Sequence, residues 1–382
     1  MTRVVVIGAG IVGTAAAHRL AAGGAQVTVF DNGAIGGATA AGAGIIATIS
    51  SRVTDLDVAS FRFAAARHYL ELVETCTAAG ISGHSYAPVG QLSIAFDDAE
   101  QAALEVDFDR ATELVGRFGP SSVGTPELLT AAEVSRRYPM IAPTRGGLLL
   151  PEVARVDGDV MRRSLLQLAV AHRATVVTGT AHPEIHDGRV TAVSSEHGRF
   201  EADVVVVAAG AWSGTLIPSL AGIVEPQRGQ IVHLHLPGAS ALPTLDTAAG
   251  HYLLTFPGDH VVIGATRETG SGFDAELTAG GVAQVLAQGM SLVPSLAQAR
   301  WIEARVGLRP ASRDGFPILG QAPGVDGLWL ATGMGPSGLT LGPYCGSVVA
   351  QHVLADHSVP TQATDAEVRA PAIPRAYQPA RS

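Results

Sequence analysis

The apolar pattern of the first 31 residues changes period twice. Four apolar residues, 4–7, run into Gly8-Ala9-Gly10-Ile11-Val12-Gly13. A stretch with helical character, 14–20, follows, and a second apolar run, 27–30, stops at Asp31. Short continuous apolar runs bounded by glycine read as strands buried on both faces, so the chain opens as strand, glycine turn, helix, strand, acid. Further on, helical spacing over 61–79 closes at Gly80 as a C-cap would, 90–96 reads as a strand, and Asp98–Phe118 as a charged helix. The pattern then predicts a helix over 160–172 and strands at Val176, Val190 and Val204–Val207, the last apolar throughout and followed by a sharp turn, Ala208-Ala209-Gly210-Ala211-Trp212. Strand patterns at 230–236, 252–256 and 260–265 alternate with turns such as Pro257-Gly258-Asp259, and a helix over 275–290 follows, which predicts an antiparallel sheet backed by a helix. A final buried strand, 327–333, enters a glycine turn, and 337–354 forms the closing helix.

Alternating strands and helices interrupted by strand-rich inserts define an α/β chain of two domains. A Rossmann-like dinucleotide-binding domain, a parallel sheet with helices, is expected over 1–87, 150–222 and 303–358. An α+β substrate domain with an antiparallel sheet is expected over 88–149 and 223–302. The length of 382 residues suits two domains at about 150 residues each. Residues 359–382 are rich in Ala and Pro with little apolar content to bury, and read as a mobile or draped tail.

The first unit carries specific chemistry. Gly8 permits the tight turn off the first strand, Gly10 lets the backbone approach a pyrophosphate, and Gly13 lets the helix pack closely on the sheet. The pyrophosphate then meets free N–H groups at the positive end of a helix. Asp31 stands where a carboxylate accepts both hydroxyls of an adenosine ribose and repels a 2′-phosphate, so the ligand is FAD or NAD rather than NADP. A second small-residue segment, 36–46, leaves room for a bulky group against the backbone, and would serve equally as a flexible loop.

Composition narrows the chemistry. The net charge is −9 with scattered Arg, which leaves no basic face for nucleic acid or an anionic membrane. All 25 basic residues are Arg, so no lysine amine is available, and a pyridoxal phosphate Schiff base is excluded. Cys76 and Cys345 fit no disulfide or metal pattern and read as reduced, partly buried thiols. No apolar stretch approaches the about 20 residues of a spanning helix, and a cytoplasmic enzyme is expected, with a homo-oligomer left open. His233 and His235 share a strand face without a third ligand, so no metal site is assigned. Ser213 and Ser337 lie outside any G-x-S-x-G, which argues against nucleophilic hydrolysis.

The chain resembles the amino-acid-oxidising flavoproteins that include D-amino acid oxidase, glycine oxidase, sarcosine oxidase and D-amino acid dehydrogenase. The likeness spans nearly the whole sequence. It rests on Gly8-Ala9-Gly10-Ile11-Val12-Gly13, on Gly37-Ala38-Thr39 with Ala43-Gly44, on Ala208 to Trp212, and on Gly307-Leu308-Arg309-Pro310 with Asp314-Gly315-Phe316-Pro317-Ile318-Leu319-Gly320. The stretch Gly264-Ala265-Thr266-Arg267-Glu268 resembles glycine oxidase in particular. The resemblance implies noncovalent FAD, its adenine on the first βαβ unit and its flavin at the domain interface. The single G-x-G-x-x-G agrees, because no second domain for NADH is present.

The implied cofactor contacts are Gly8, Gly10, Ile11, Val12 and Gly13; Asp31 and Asn32; Gly37, Ala38, Thr39, Ala43, Gly44 and Ile45; and Ala209, Gly210 and Trp212. Gly335, Pro336, Ser337, Gly338, Leu339 and Thr340 complete the set, where backbone N–H groups and a helix start face the flavin pyrimidine. Arg309 is implied to pair with the substrate carboxylate, which suits a planar guanidinium, and to touch the cofactor; a salt bridge between domains is the other role open to it. Tyr252 matches a tyrosine that assists the carboxylate, or is a core aromatic. Arg267 is a second candidate, or a solvated hairpin charge. Many relatives carry His at Met334, and no cysteine stands in 308–312 to tether the flavin. The expected reaction is hydride transfer from Cα of a D-amino acid or glycine-like substrate to flavin N5, the imine hydrolysing to oxo acid and ammonia, with oxygen or a quinone as acceptor. Oxidation of N-alkyl amino acids or proline, and a flavin-binding subunit of a larger electron-transfer complex, are the alternatives.

Overall fold

The structure, a computed structural model, describes residues 1–49, 53–356 and 370–379. Its first domain is built on a six-stranded sheet in the order Ile318–Gln321, Leu328–Thr332, Val204–Val207, Arg3–Ile7, Gln26–Asp31, Thr175–Thr178. The strands are parallel except the antiparallel edge Ile318–Gln321. Helices Ile11–Ala22, Gly158–Ala171 and Gly338–Asp356 pack together on one face over a core that includes Val4, Val6, Leu20, Met161 and Val349. The other face is covered by a three-stranded antiparallel sheet, Ala181–His186, Arg189–Ser195 and Gly198–Glu201. The strand expected at Val190 belongs to this cover and not to the parallel sheet.

The second domain is a nine-stranded sheet made from both inserts. Strand Val224–His235 pairs on one side with His260–Gly264 and on the other with Arg300–Ser312, from Val224 opposite Ser312 to His235 opposite Arg300 with a one-residue shift of register between His233 and Leu234. The boundary expected at 302/303 therefore falls inside one continuous strand, which carries the chain from the substrate sheet back to the first domain. The sheet is not wholly antiparallel: Thr244–Thr247 runs parallel to Gln91–Ala95, the junction where the two inserts meet.

Helix Asp98–Phe118 falls where the sequence places it. Helix Leu56–Ala78 begins five residues before the expected 61, because the Asp55 side chain accepts from the backbone N–H groups of Asp57 and Val58 at 2.7 and 3.3 Å. The helix expected from 275 starts at Ala279, behind a Thr278 cap, leaving 275–278 as a loop. In the tail, residues 370–379 are draped on the first domain: Tyr377 is buried against the rings of Phe61 and Phe316. The rest of the tail, 359–369 and 380–382, lies outside the described residues. Among the described residues no helix is long and apolar enough to cross a membrane, and no group of three metal-ligating side chains occurs.

Candidate active site

Three glycine contacts build the first wall of the site. A Cβ on Gly13 would overlap the Gly8 carbonyl oxygen, and one on Gly8 would come within 2.5 Å of the Ala208 carbonyl oxygen, with Gly8 itself at φ +105°. At Gly10 a Cβ would meet only the Thr39 hydroxyl, 3.3 Å away. The roles read from sequence thus separate: Gly8 and Gly13 are held by packing of strand, turn and helix, whereas Gly10 faces open space. No side chain caps the Ile11–Ala22 helix, apart from Thr39 accepting from Ile11 N–H at 3.1 Å, so its positive end is directed at a ligand. Asp31 bends back toward this turn and accepts from the N–H of Ala9 at 2.6 Å and of Gly33 at 2.8 Å.

From this turn a cavity of about 990 Å³ runs between the domains to the substrate sheet. Its wall brings together Gly8, Gly10, Ile11 and Val12; Asp31 and Asn32; Gly37, Ala38, Thr39, Ala43, Gly44 and Ile45; Ala209, Gly210 and Trp212; and Gly335, Pro336, Gly338 and Leu339. Tyr252, Arg267 and Arg309 close its far end. Three expected contacts are not on the wall. Gly13 is buried against Gly8, the Ser337 hydroxyl accepts from Arg62 at 3.3 Å, and the Thr340 hydroxyl donates to the Ile45 carbonyl at 3.2 Å.

The far end is positioned by strand pairing. Arg309 lies opposite Gln227 in the long strand pair, and its guanidinium crosses the α-carbon of Gly229. Its Nη1 donates to the Thr266 carbonyl at 3.1 Å. The Thr266 segment is fixed in turn: its hydroxyl donates to Glu268 at 2.6 Å and accepts from the Gln230 N–H at 2.9 Å, and Glu268 holds Arg228 at 2.7 Å. Burial pushes the Glu268 carboxyl up, but hydrogen bonds from Thr266, Gln230 and Arg228 together outweigh it and hold it below the usual range. Burial likewise pushes the Tyr252 phenol up; Arg309 and Arg267 pull it back only in part, so Tyr252 stays protonated and can donate.

Several functional positions escaped the sequence. Gly229 makes room for Arg309, and a glycine inside a strand pattern is the signal that could have found it. Arg62 is buried beneath the 335–338 turn, donating to the carbonyls of Thr48 and Ala47 at 2.9 and 2.7 Å as well as to Ser337. Nothing in the helical spacing of residues 61–79 marks it. Arg305 lines the cavity, paired with Glu303 and donating to the Ala40 carbonyl at 3.0 Å. His233, by contrast, bonds His260 at 2.9 Å and is not on the wall.

A glycine turn at a helix start, continuous with a cationic pocket on a second domain, defines a dinucleotide-dependent oxidoreductase. A model of the family described as FAD dependent oxidoreductase matches residues 3–352, and the chain belongs to that family. A Bacillus subtilis protein described as the uncharacterized oxidoreductase YurR is 36% identical over 360 residues, covering 93% of this chain and 95% of its own. The glycine oxidase of Pseudomonas aeruginosa is 33% identical, covering 89% and 92%. The crystal structure of iminodiacetate oxidase from Chelativorans sp. BNC1 superposes with a TM-score of 0.86 at 38% identity over 94% of this chain and 97% of that one. The protein is an FAD-dependent oxidoreductase, similar in sequence to glycine oxidase and in sequence and fold to iminodiacetate oxidase.

The residues present fit that cofactor. The open space over Gly10, the uncapped helix start and the Asp31 carboxylate suit a pyrophosphate and ribose. The wall of small residues at 37–45 suits a flat ring system at the domain interface, and the Gly335–Ser337 turn suits its pyrimidine edge.

Proposed function

We propose that the enzyme oxidises a small α-amino acid, a D-amino acid or a glycine-like compound, at Cα to the imine, which water hydrolyses to an oxo acid and ammonia. When bound, FAD supplies a two-electron acceptor that dioxygen or a quinone reoxidises. The observation that carries the reading is Arg309, a guanidinium held over Gly229 at the end of the cavity beside the protonated Tyr252. A bidentate pair with Arg309 fixes the carboxylate, and the Tyr252 hydroxyl donates to it, so the Cα–H is presented in one orientation. The acidic and imidazole groups on the described wall, Asp31, Asp159 and His182, belong to the opposite end, by the first helix. The substrate amine therefore reacts in its neutral form without a protein base at the reacting carbon.

Noncovalent binding of FAD is supported by the cysteines: Cys76 and Cys345 are both buried and off the wall. A second reading, oxidation of an N-substituted amino acid, is favoured by the likeness to iminodiacetate oxidase. The test is oxo-acid release from a panel of amino acids by wild type and Arg309→Met. Loss of the buried pairing, about 3–5 kcal/mol, raises KM by about 10²–10³-fold; an unchanged KM removes Arg309 as the anchor.

A further inference from the structure

We propose that Arg62 is the buried positive charge that makes the bound flavin easier to reduce, acting from behind the Gly335–Ser337 turn. The inference rests on that turn facing the pyrimidine edge, and it adds a side chain that is not on the cavity wall. A hydride brings two electrons and one proton, so a neutral ring gains one negative charge, which in a reduced flavin gathers on the pyrimidine edge. A positive charge fixed nearby in a water-poor place favours that change.

Arg62 is seated for this role. It lies on helix Leu56–Ala78, about two turns before Tyr69, so the two side chains share a face. That face is turned to the start of helix Gly338–Asp356: Nη1 of Arg62 donates to the Ser337 hydroxyl at 3.3 Å, and the Tyr69 hydroxyl donates to the Leu339 carbonyl. Nε and Nη2 of Arg62 donate to the carbonyls of Thr48 and Ala47 at 2.9 and 2.7 Å, just past Ile45 on the wall. The guanidinium therefore ties together the two segments that flank the place for the ring.

Each of these partners is a neutral oxygen. The Tyr377 phenol, brought by the tail, adds a further neutral hydrogen-bond partner, and among the described residues no carboxylate pairs with Arg62 or acts on it electrostatically. Burial pulls the guanidinium below its usual value, which starts so high that the group stays charged. The positive end of helix Gly338–Asp356 points at the same turn. Two positive charges thus converge where the chain supplies no acid, an arrangement that costs stability until negative charge arrives in the cavity.

The test equilibrates the FAD holoenzymes of wild type, Arg62→Met and Arg62→Lys anaerobically with a redox dye and reads the fraction of reduced flavin against that of the dye. At an effective dielectric of about 20, one unit charge acting over about 10 Å changes an equilibrium constant about tenfold. Arg62→Met is expected to shift the balance at least about tenfold toward oxidised flavin, about 30 mV for a two-electron couple, and Arg62→Lys, which keeps the charge without the fork, to stay within about threefold of wild type. Arg62→Gln keeps a donor without the charge and carries the same expectation as Arg62→Met if that variant does not hold FAD. A charge-free variant within about threefold of wild type, or Arg62→Lys shifted as far as Arg62→Met, overturns the inference. A merely structural Arg62 would lower Tm and FAD retention on replacement and leave the balance where it was. The dye exchanges electrons with the flavin without any amine, so failure of every amine to reduce the flavin removes the proposed function and leaves this measurement standing.

Discussion

Replacing Gly229 by alanine tests the construction of the site rather than its chemistry. The added Cβ would lie 2.6 Å from Cζ and Nη2 of Arg309 and closer still to Nη1. These atoms are the far end of a flexible side chain, and Gly229 lies outside the left-handed region, so the fold yields cheaply. Gly→Ala at a compatible position gains about 0.4–1 kcal/mol from the unfolded chain, so Tm is expected to hold or rise. The guanidinium must then swing off its seat, losing its 3.1 Å bond to the Thr266 carbonyl and its alignment on the carboxylate. One charge-assisted contact of about 1.5–3 kcal/mol corresponds to a KM raised about 10–100-fold. The assay is steady-state KM with Tm and flavin content measured in parallel, in wild-type and Arg309→Met backgrounds. In the second background Gly229→Ala should add little, since both changes act on one group. An unchanged KM for Gly229→Ala, or full additivity with Arg309→Met, refutes the placement.

Arg62→Met strips the buried donor from the carbonyls of Ala47 and Thr48 and from Ser337; a stability loss of about 1–3 kcal/mol and weaker FAD retention are expected in denaturation and cofactor-release measurements. Burial, with neighbouring cations, lowers the pKa of both His18 and His233 to about 4, against an unfolded value near 6.5. The unfolded chain binds more protons across that window, so stability is full above about pH 6.5 and falls as pH drops toward 4. A scan of Tm against pH checks this, and His18→Asn should flatten part of the slope.

The first nucleotide-binding unit was legible because strand, turn, helix and acid are local: Gly13 packs on the Gly8 carbonyl and Asp31 accepts from Ala9 N–H, both within the turn, although Gly8 also abuts the distant Ala208. The substrate end was legible only through resemblance, since Tyr252, Arg267 and Arg309 meet through the pairing of strands distant in sequence, which no periodicity reveals. Ser337 and Thr340 are expected to act through backbone N–H groups, and their hydroxyls are engaged by Arg62 and the Ile45 carbonyl, contacts between distant segments that no local pattern signals. Of the two states open to the tail, mobile or draped, Tyr377 shows the second: a mostly Ala/Pro composition hides one aromatic that packs beside Phe61. The start of the second helix was misplaced because Asp55, and not the first apolar repeat, sets it.

The central claim is that the pocket before Arg309 and Tyr252 delivers electrons from an amino acid to bound FAD. The direct measurement is anaerobic mixing of the purified holoenzyme with D-, L- and N-substituted amino acids while following the absorbance of oxidised flavin. Bleaching by an amino acid in the wild type, slowed at sub-saturating concentration in Arg309→Met, is the predicted result. A flavin spectrum that persists with every amine contradicts the account.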